Sequence, residues 1–193
     1  MNFMKSQTLT QHNINIVKEL KKSVTNKVNL INEEHSLNHN VDSVCRITTK
    51  NTIKFCNADF INLSGYTGKD LLNNSLNLIK HPEMPSIISK FIANRTENGE
   101  ITSSIIKNKT KDGKFYWTHA TFKPNEGSNL NIAFTINSST ISDQAKEQIT
   151  KLYDCLYKLE SKIDENTAAK YLVGFLEEKC MSLTQYTKYL VSL

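Results

Sequence analysis

Residues 57–85 constrain the fold more than any other stretch, because they dictate four short elements in a row. The segment follows an apolar run that includes Ile53 and Phe55, and begins NADFINLSGYTGKDLL. Asn57 suits a helix N-cap, since its side-chain oxygen accepts a backbone N–H that the first turn leaves without a partner. The helix it starts carries Phe60, Ile61 and Leu63. Gly65 suits its end, because glycine enters the left-handed region without steric cost. A second short helix is expected over residues 69–73. The segment closes on LIKHPEMP, where Pro82 and Pro85 stiffen the backbone around Glu83. The order is strand, helix, helix, rigid polar turn.

Downstream, a helix over about 83–98 leads into ITSSIIKNKTKDGKFYWTHATFKP, read as two strands joined at Asp112-Gly113, a strong short-hairpin signal. Strands are expected at 44–49, 52–55, 101–108, 115–123 and 130–136. In the last, Leu130, Ile132, Phe134 and Ile136 alternate as on a half-buried strand. Five strands with helices gathered between the second and third predict an α+β fold. Its five-stranded antiparallel sheet carries helices on one face, with a pocket between the two layers. Helices flank this unit. Residues 1 to about 38 place Ile14, Val17, Val24, Val28 and Ile31 in a heptad-like series that Lys21 interrupts. After Ser142, a residue suited to capping, Ile149, Leu152, Leu156, Leu159 and Ile163 form a regular seam. Asn166-Thr167 and Ser182 are read as caps of two further helices. The chain thus divides into an N-terminal amphipathic helix (1–40), a mixed α+β unit (41–141) and a C-terminal helical segment (142–193).

Composition narrows the function classes. Over 193 residues, 38% apolar and 22% charged residues describe a globular chain. No run reaches the roughly 18 apolar residues of a membrane span, and MNFMKSQTLTQHN has no apolar core of a secretory signal. A cytoplasmic location and no membrane insertion are expected. The net charge of +5 is spread along the chain, which argues against a nucleic-acid partner. The lysines Lys107, Lys109, Lys111 and Lys114 gather at one hairpin, where they read as a solvated edge that blocks strand pairing. Cys45, Cys56, Cys155 and Cys180 lack metal-type spacing. No nucleophile–base pair, carboxylate pair or metal cluster is visible, so an enzyme is not expected.

Two strings carry a resemblance. The first is N-x-x-F-x-x-x-S-G-Y running on to H-P-x-M-P. The second is K-N-x-x-K-x-G-x-x-Y-W, here Lys107, Asn108, Lys111, Gly113, Tyr116 and Trp117. Together they resemble the PAS sensor domain, and within it the flavin-binding PAS of bacterial aerotaxis and energy-taxis receptors, over about residues 41–140. The C-terminal helices are similar, more loosely, to those of stand-alone PAS proteins in bipartite energy-taxis systems. The resemblance implies a redox sensor that binds FAD. Asn57 would face the flavin ring, Lys80, His81 and Glu83 would hold the dinucleotide, and Asn108 and Trp117 would belong to the same site. A cation and an imidazole suit a pyrophosphate, and an acid suits a ribose hydroxyl or ring N–H. Three plain structural readings stand beside these: Asn57 as cap, His81 as a stabiliser of the turn and Trp117 as core. The implied partner is a chemotaxis-type transducer or a second PAS protein, with a homodimer expected. The family usually has arginine at Lys80, aspartate at Glu83 and tryptophans near Phe91 or Ile92 and Ile101 or Thr102. A haem, another small molecule, or a cofactor-free scaffold that dimerises or docks partners through its flanking helices is the alternative.

Overall fold

The computed structural model describes residues 30–35, 42–124, 131–137 and 141–193. Five strands, β1 (Ser43–Thr48), β2 (Ile53–Cys56), β3 (Thr102–Lys109), β4 (Phe115–Pro124) and β5 (Asn131–Asn137), form one sheet in the order β2-β1-β5-β4-β3. Every pairing in it is antiparallel. Between β2 and β3 lie α1 (Ala58–Ser64), α2 (Gly68–Leu71), a 3₁₀ turn (Leu76–Leu78) and α3 (Ser86–Glu97). After β5 come α4 (Asp143–Lys162), α5 (Glu165–Glu178) and α6 (Leu183–Val191). The expected fold class and all five strands are present, each within a residue or two of its expected bounds.

Local chemistry accounts for most of the boundaries. Asn57 caps α1 by accepting the Phe60 N–H, and Gly65 ends that helix at φ 70. Thr67 and Asp70 form a reciprocal capping box on α2. Ser142 caps α4 and Ser182 caps α6. At α5 the expected cap moves upstream. The Asp164 carboxylate, not Asn166-Thr167, accepts both the Thr167 N–H and its hydroxyl. The β3–β4 connection is also longer than a two-residue turn. Thr110 donates to the Lys114 carbonyl and Gly113 (φ 95) to the Thr110 carbonyl, so Asp112-Gly113 is the middle of a five-residue loop.

The N-terminal flank departs from expectation, while the three C-terminal helices are present as expected but are used differently. Residues 30–35, expected to be helical, are extended beside the start of β4. Ile31 N donates to Gly113 O, Phe115 N to Glu33 O and His35 N to Phe115 O. Main-chain pairing with a strand end outweighs helical propensity in so short a stretch. The remainder of the expected N-terminal helix lies outside the described residues. The α4 seam, read as a surface for association, packs on the chain's own core. Ile149, Leu152 and Leu156 are buried there, while Ile163 at its end is 63% exposed.

The C-terminal helices also cover the edge of β3, whose outward N–H and C=O groups are a template for association if left bare. Ser103 N donates to the Thr184 hydroxyl, and Thr187 donates back to the Ser103 carbonyl. Tyr153 of α4 donates to the Ile105 carbonyl at 2.5 Å. Farther along, His81 N donates to the Lys107 carbonyl and Lys109 N to that of Ile79. The edge is used from end to end.

Candidate functional site

A cavity of about 250 Å³ lies between α3 and the sheet. Its apolar walls come from Ile47, Ile106 and Phe122 of the sheet, Leu76 of the 3₁₀ turn, and Met84, Ile92 and Ala93. Thr49, Asn77 and Lys90 mark its solvent side. Among these groups Asn108 stands apart. It is only 6% exposed, lines the cavity, and its side-chain amide has no protein hydrogen bond among the described residues. It presents both a donor and an acceptor to whatever fills the space.

Lys80 also lines the cavity, and its ammonium lies 3.3 Å from the Ser86 hydroxyl. Burial lowers its pKa, with Lys90 acting in the same direction and Glu160 opposing. Of the six residues singled out from sequence, the cavity gathers Lys80 and Asn108. The other four lie elsewhere.

Asn57 does not line the cavity. Its Oδ1 accepts from Phe60 N and from Val44 N, each at 3.0 Å, and its Nδ2 donates to the Asp42 carbonyl at 2.8 Å. The amide is consumed in tying β1 to α1. Trp117 lies on the opposite face of the sheet, because strand alternation sends it away from Phe122 and its partner Lys107 away from Ile106. There its ring stacks on Tyr153 with centroids 6.4 Å apart. Lys107 lies over the Phe115 and Trp117 rings and pairs with Glu83 at 2.6 Å. His81 packs edge-on against Phe115 in the same cluster. The other lining residues, Ile47, Leu76, Lys90, Ile106 and Phe122 among them, were not anticipated. Strand alternation from Asn108 would have pointed to Ile106, but nothing local marks the rest.

His81 is buried and neutral. Burial and the Lys107 charge push its pKa down to about 4, against a weaker opposing pull from Glu83. Its Nδ1 accepts the Glu83 backbone N–H at 3.3 Å, as only an unprotonated nitrogen can. The Glu83 carboxylate, held low in pKa by its hydrogen bond to Lys107, serves the lysine instead. The unfolded chain takes up a proton near the ordinary 6.5, whereas the folded one resists until about 4. In that window the unfolded state binds more protons. Stability therefore falls as pH drops through it, by up to about 1.4 kcal/mol per unit. His119, whose pKa burial also lowers, adds to the wild-type slope. The comparison that isolates His81 is urea denaturation of wild type and His81→Gln across this range. The variant should show the shallower decline, and parallel declines would exclude a buried neutral His81.

Among the described residues no cluster of three or more His, Cys, Asp or Glu side chains could hold a metal. No described helix is long and apolar enough to cross a membrane.

Comparison with known proteins places this architecture. Residues 53–136 match the family model described as the PAS fold. Over 72 residues the chain is 35% identical to the aerotaxis receptor of Escherichia coli (strain K12), a match covering 37% of this chain. The chain spans only 14% of that receptor's length. Among solved structures, a LOV domain from a blue-light activated histidine kinase of Erythrobacter litoralis is 16% identical. That match has a TM-score of 0.44 and covers 49% of this chain and 92% of that one. A PAS domain from Colwellia psychrerythraea is 19% identical with a TM-score of 0.46, covering 49% and 83%.

Proposed function

Residues 53–136 are a PAS domain, and from that premise we propose that the chain is a sensory protein that binds a flavin between α3 and the sheet. On this reading it passes the ligand's state to a partner through α4–α6. The observation that carries the proposal is Asn108, a buried amide without a protein partner on the wall of an otherwise apolar cavity. A flavin ring has flat apolar faces and one edge of alternating carbonyl and N–H groups. Phe122, Ile106 and Ile47 suit the faces, and an amide that both donates and accepts suits the edge. Lys80 and Lys90 supply cations for a phosphate. At about 250 Å³ the space is small for a ligand pocket and houses a ring system rather than a whole dinucleotide. The residues present fit the group.

Bound there, a flavin supplies electron exchange with accompanying protonation. The protein's part is to exclude water with the apolar wall, to orient the ring through Asn108, and to respond through residues joining the wall to the C-terminal helices. The similarity to the aerotaxis receptor supports a transducer-class protein as partner. Tyr171, Val173 and Tyr189, exposed on α5 and α6, give such a partner apolar contacts.

The test is the visible absorption spectrum after incubation with FAD, before and after dithionite. Two flavin bands that bleach on reduction are expected. Asn108→Leu, close in size but unable to bond the ring edge, should weaken flavin binding about tenfold or more, in line with about 1.5–3 kcal/mol for a buried polar contact. A spectrum that stays blank after incubation would overturn the proposal.

A further inference from the structure

Helix α3 begins without a cap of its own, because Pro85 at its N-cap has no side-chain acceptor. Its first N–H groups are received from far along the chain. Glu160, near the end of α4, accepts from Ser86 N at 2.9 Å and from Ile87 N at 2.5 Å. Lys80 reaches the same spot, 3.3 Å from the Ser86 hydroxyl, while its stem lines the cavity. One turn on, Lys90, also a cavity residue, pairs with Glu165 at the start of α5. Of the two cations on the cavity wall, Lys90 thus pairs directly with the C-terminal segment, and Lys80 feels the Glu160 charge from beyond ion-pair distance. The Glu160 bonds to Ser86 N and Ile87 N and the Lys90–Glu165 pair join the ligand side of the domain to the helices beyond it.

We propose that Glu160 is a latch. It holds α4–α6 against the sensor, and a cavity ligand with an anionic group beside Lys80 displaces its carboxylate from the start of α3. This rests on the reading of the cavity as a ligand site and adds the ligand's charge and the route of its effect. The physics is competition between two anions for two N–H groups within the field of one lysine. A helix N-terminus favours a single negative group over two that repel each other. Asn108, unpartnered and buried at the same cavity, marks the space as one a ligand enters. Linkage makes the coupling reciprocal: whatever factor the anion costs the latch, the latch costs the anion.

The experiment uses the full chain and two probes, riboflavin and its phosphate ester FMN, which differ by the anionic group. In Glu160→Gln without ligand, emission from Trp117, the one tryptophan in the sequence, should shift to the red as α4 loosens from it. Amide exchange along α4 should quicken about tenfold. In wild type, FMN should produce the same faster exchange and riboflavin should not. Glu160→Gln should bind FMN about fivefold tighter than wild type and riboflavin equally well. Lys80→Met, which removes the shared cation, should abolish the difference between the probes. If Glu160→Gln leaves emission and exchange unchanged, or if the two flavins act alike on wild type, the latch is overturned while flavin binding stands. Failure of both flavins to bind overturns the ligand site itself and the coupling with it.

Discussion

A chain ending at residue 142 is expected to lose cooperative folding rather than to leave a free-standing sensor. The C-terminal segment is structural because it completes both the core and the sheet edge. Ile149, Leu152, Leu156, Leu172, Leu176, Leu183 and Leu190 are buried. Each such side chain stabilises by about 1.5–3 kcal/mol, against about 5–15 kcal/mol for a whole domain. Deletion also strips Tyr153 from the Ile105 carbonyl and Thr184 and Thr187 from Ser103, which leaves β3 with unpaired main-chain groups. Trp117 would lose its stacking partner. Circular dichroism melting and size-exclusion chromatography of residues 1–142 should show a broad or absent transition and aggregation. A monomer with a single sharp melt near that of the full chain would show that α4–α6 are an appendage. That is also the outcome a docking scaffold with independent helices would give.

Replacing Asn57 by alanine should cost about 2–4 kcal/mol of stability. Loss of an N-cap accounts for about 0.5–2 of this, and the Val44 N–H left without its acceptor for about 1–3. The side chain also gives up its bond to the Asp42 carbonyl, so the start of β1 and the start of α1 loosen together. Because Asn57 does not line the cavity, the affinity of the folded fraction for FMN should stay within about twofold. Urea denaturation and flavin titration together check both halves. A stable variant with weakened flavin affinity would reverse the assignment and put Asn57 at the ligand.

Much of the fold was legible locally, and particular residues show why. Asn57, Gly65, Ser142 and Ser182 mark boundaries through chemistry confined to one helical turn. The strands announced themselves by alternation, as in β1, where Ser43, Cys45 and Ile47 are buried in turn. The α5 cap was misplaced by two residues because Asp164, Asn166 and Thr167 are all competent caps. Only the geometry of the α4–α5 turn chooses the carboxylate. The six residues singled out from sequence separate in space. Lys80 and Asn108 reach the cavity, whereas His81 and Glu83, neighbours of Lys80 in a proline-stiffened turn, point to the Lys107–Phe115 side of the sheet.

Chemistry local to the chain set most of the elements, their order and the PAS architecture. Backbone periodicity, capping and turn preference act over a few residues and can be read along the chain. Packing between distant segments chose which face Trp117 occupies, buried the α4 seam in its own domain and gave α3 its cap from Glu160. Those outcomes depend on contacts between residues tens of positions apart, 74 in the case of Ser86 and Glu160. Such contacts are chosen by burial and charge pairing summed over the whole fold, for which no local pattern exists.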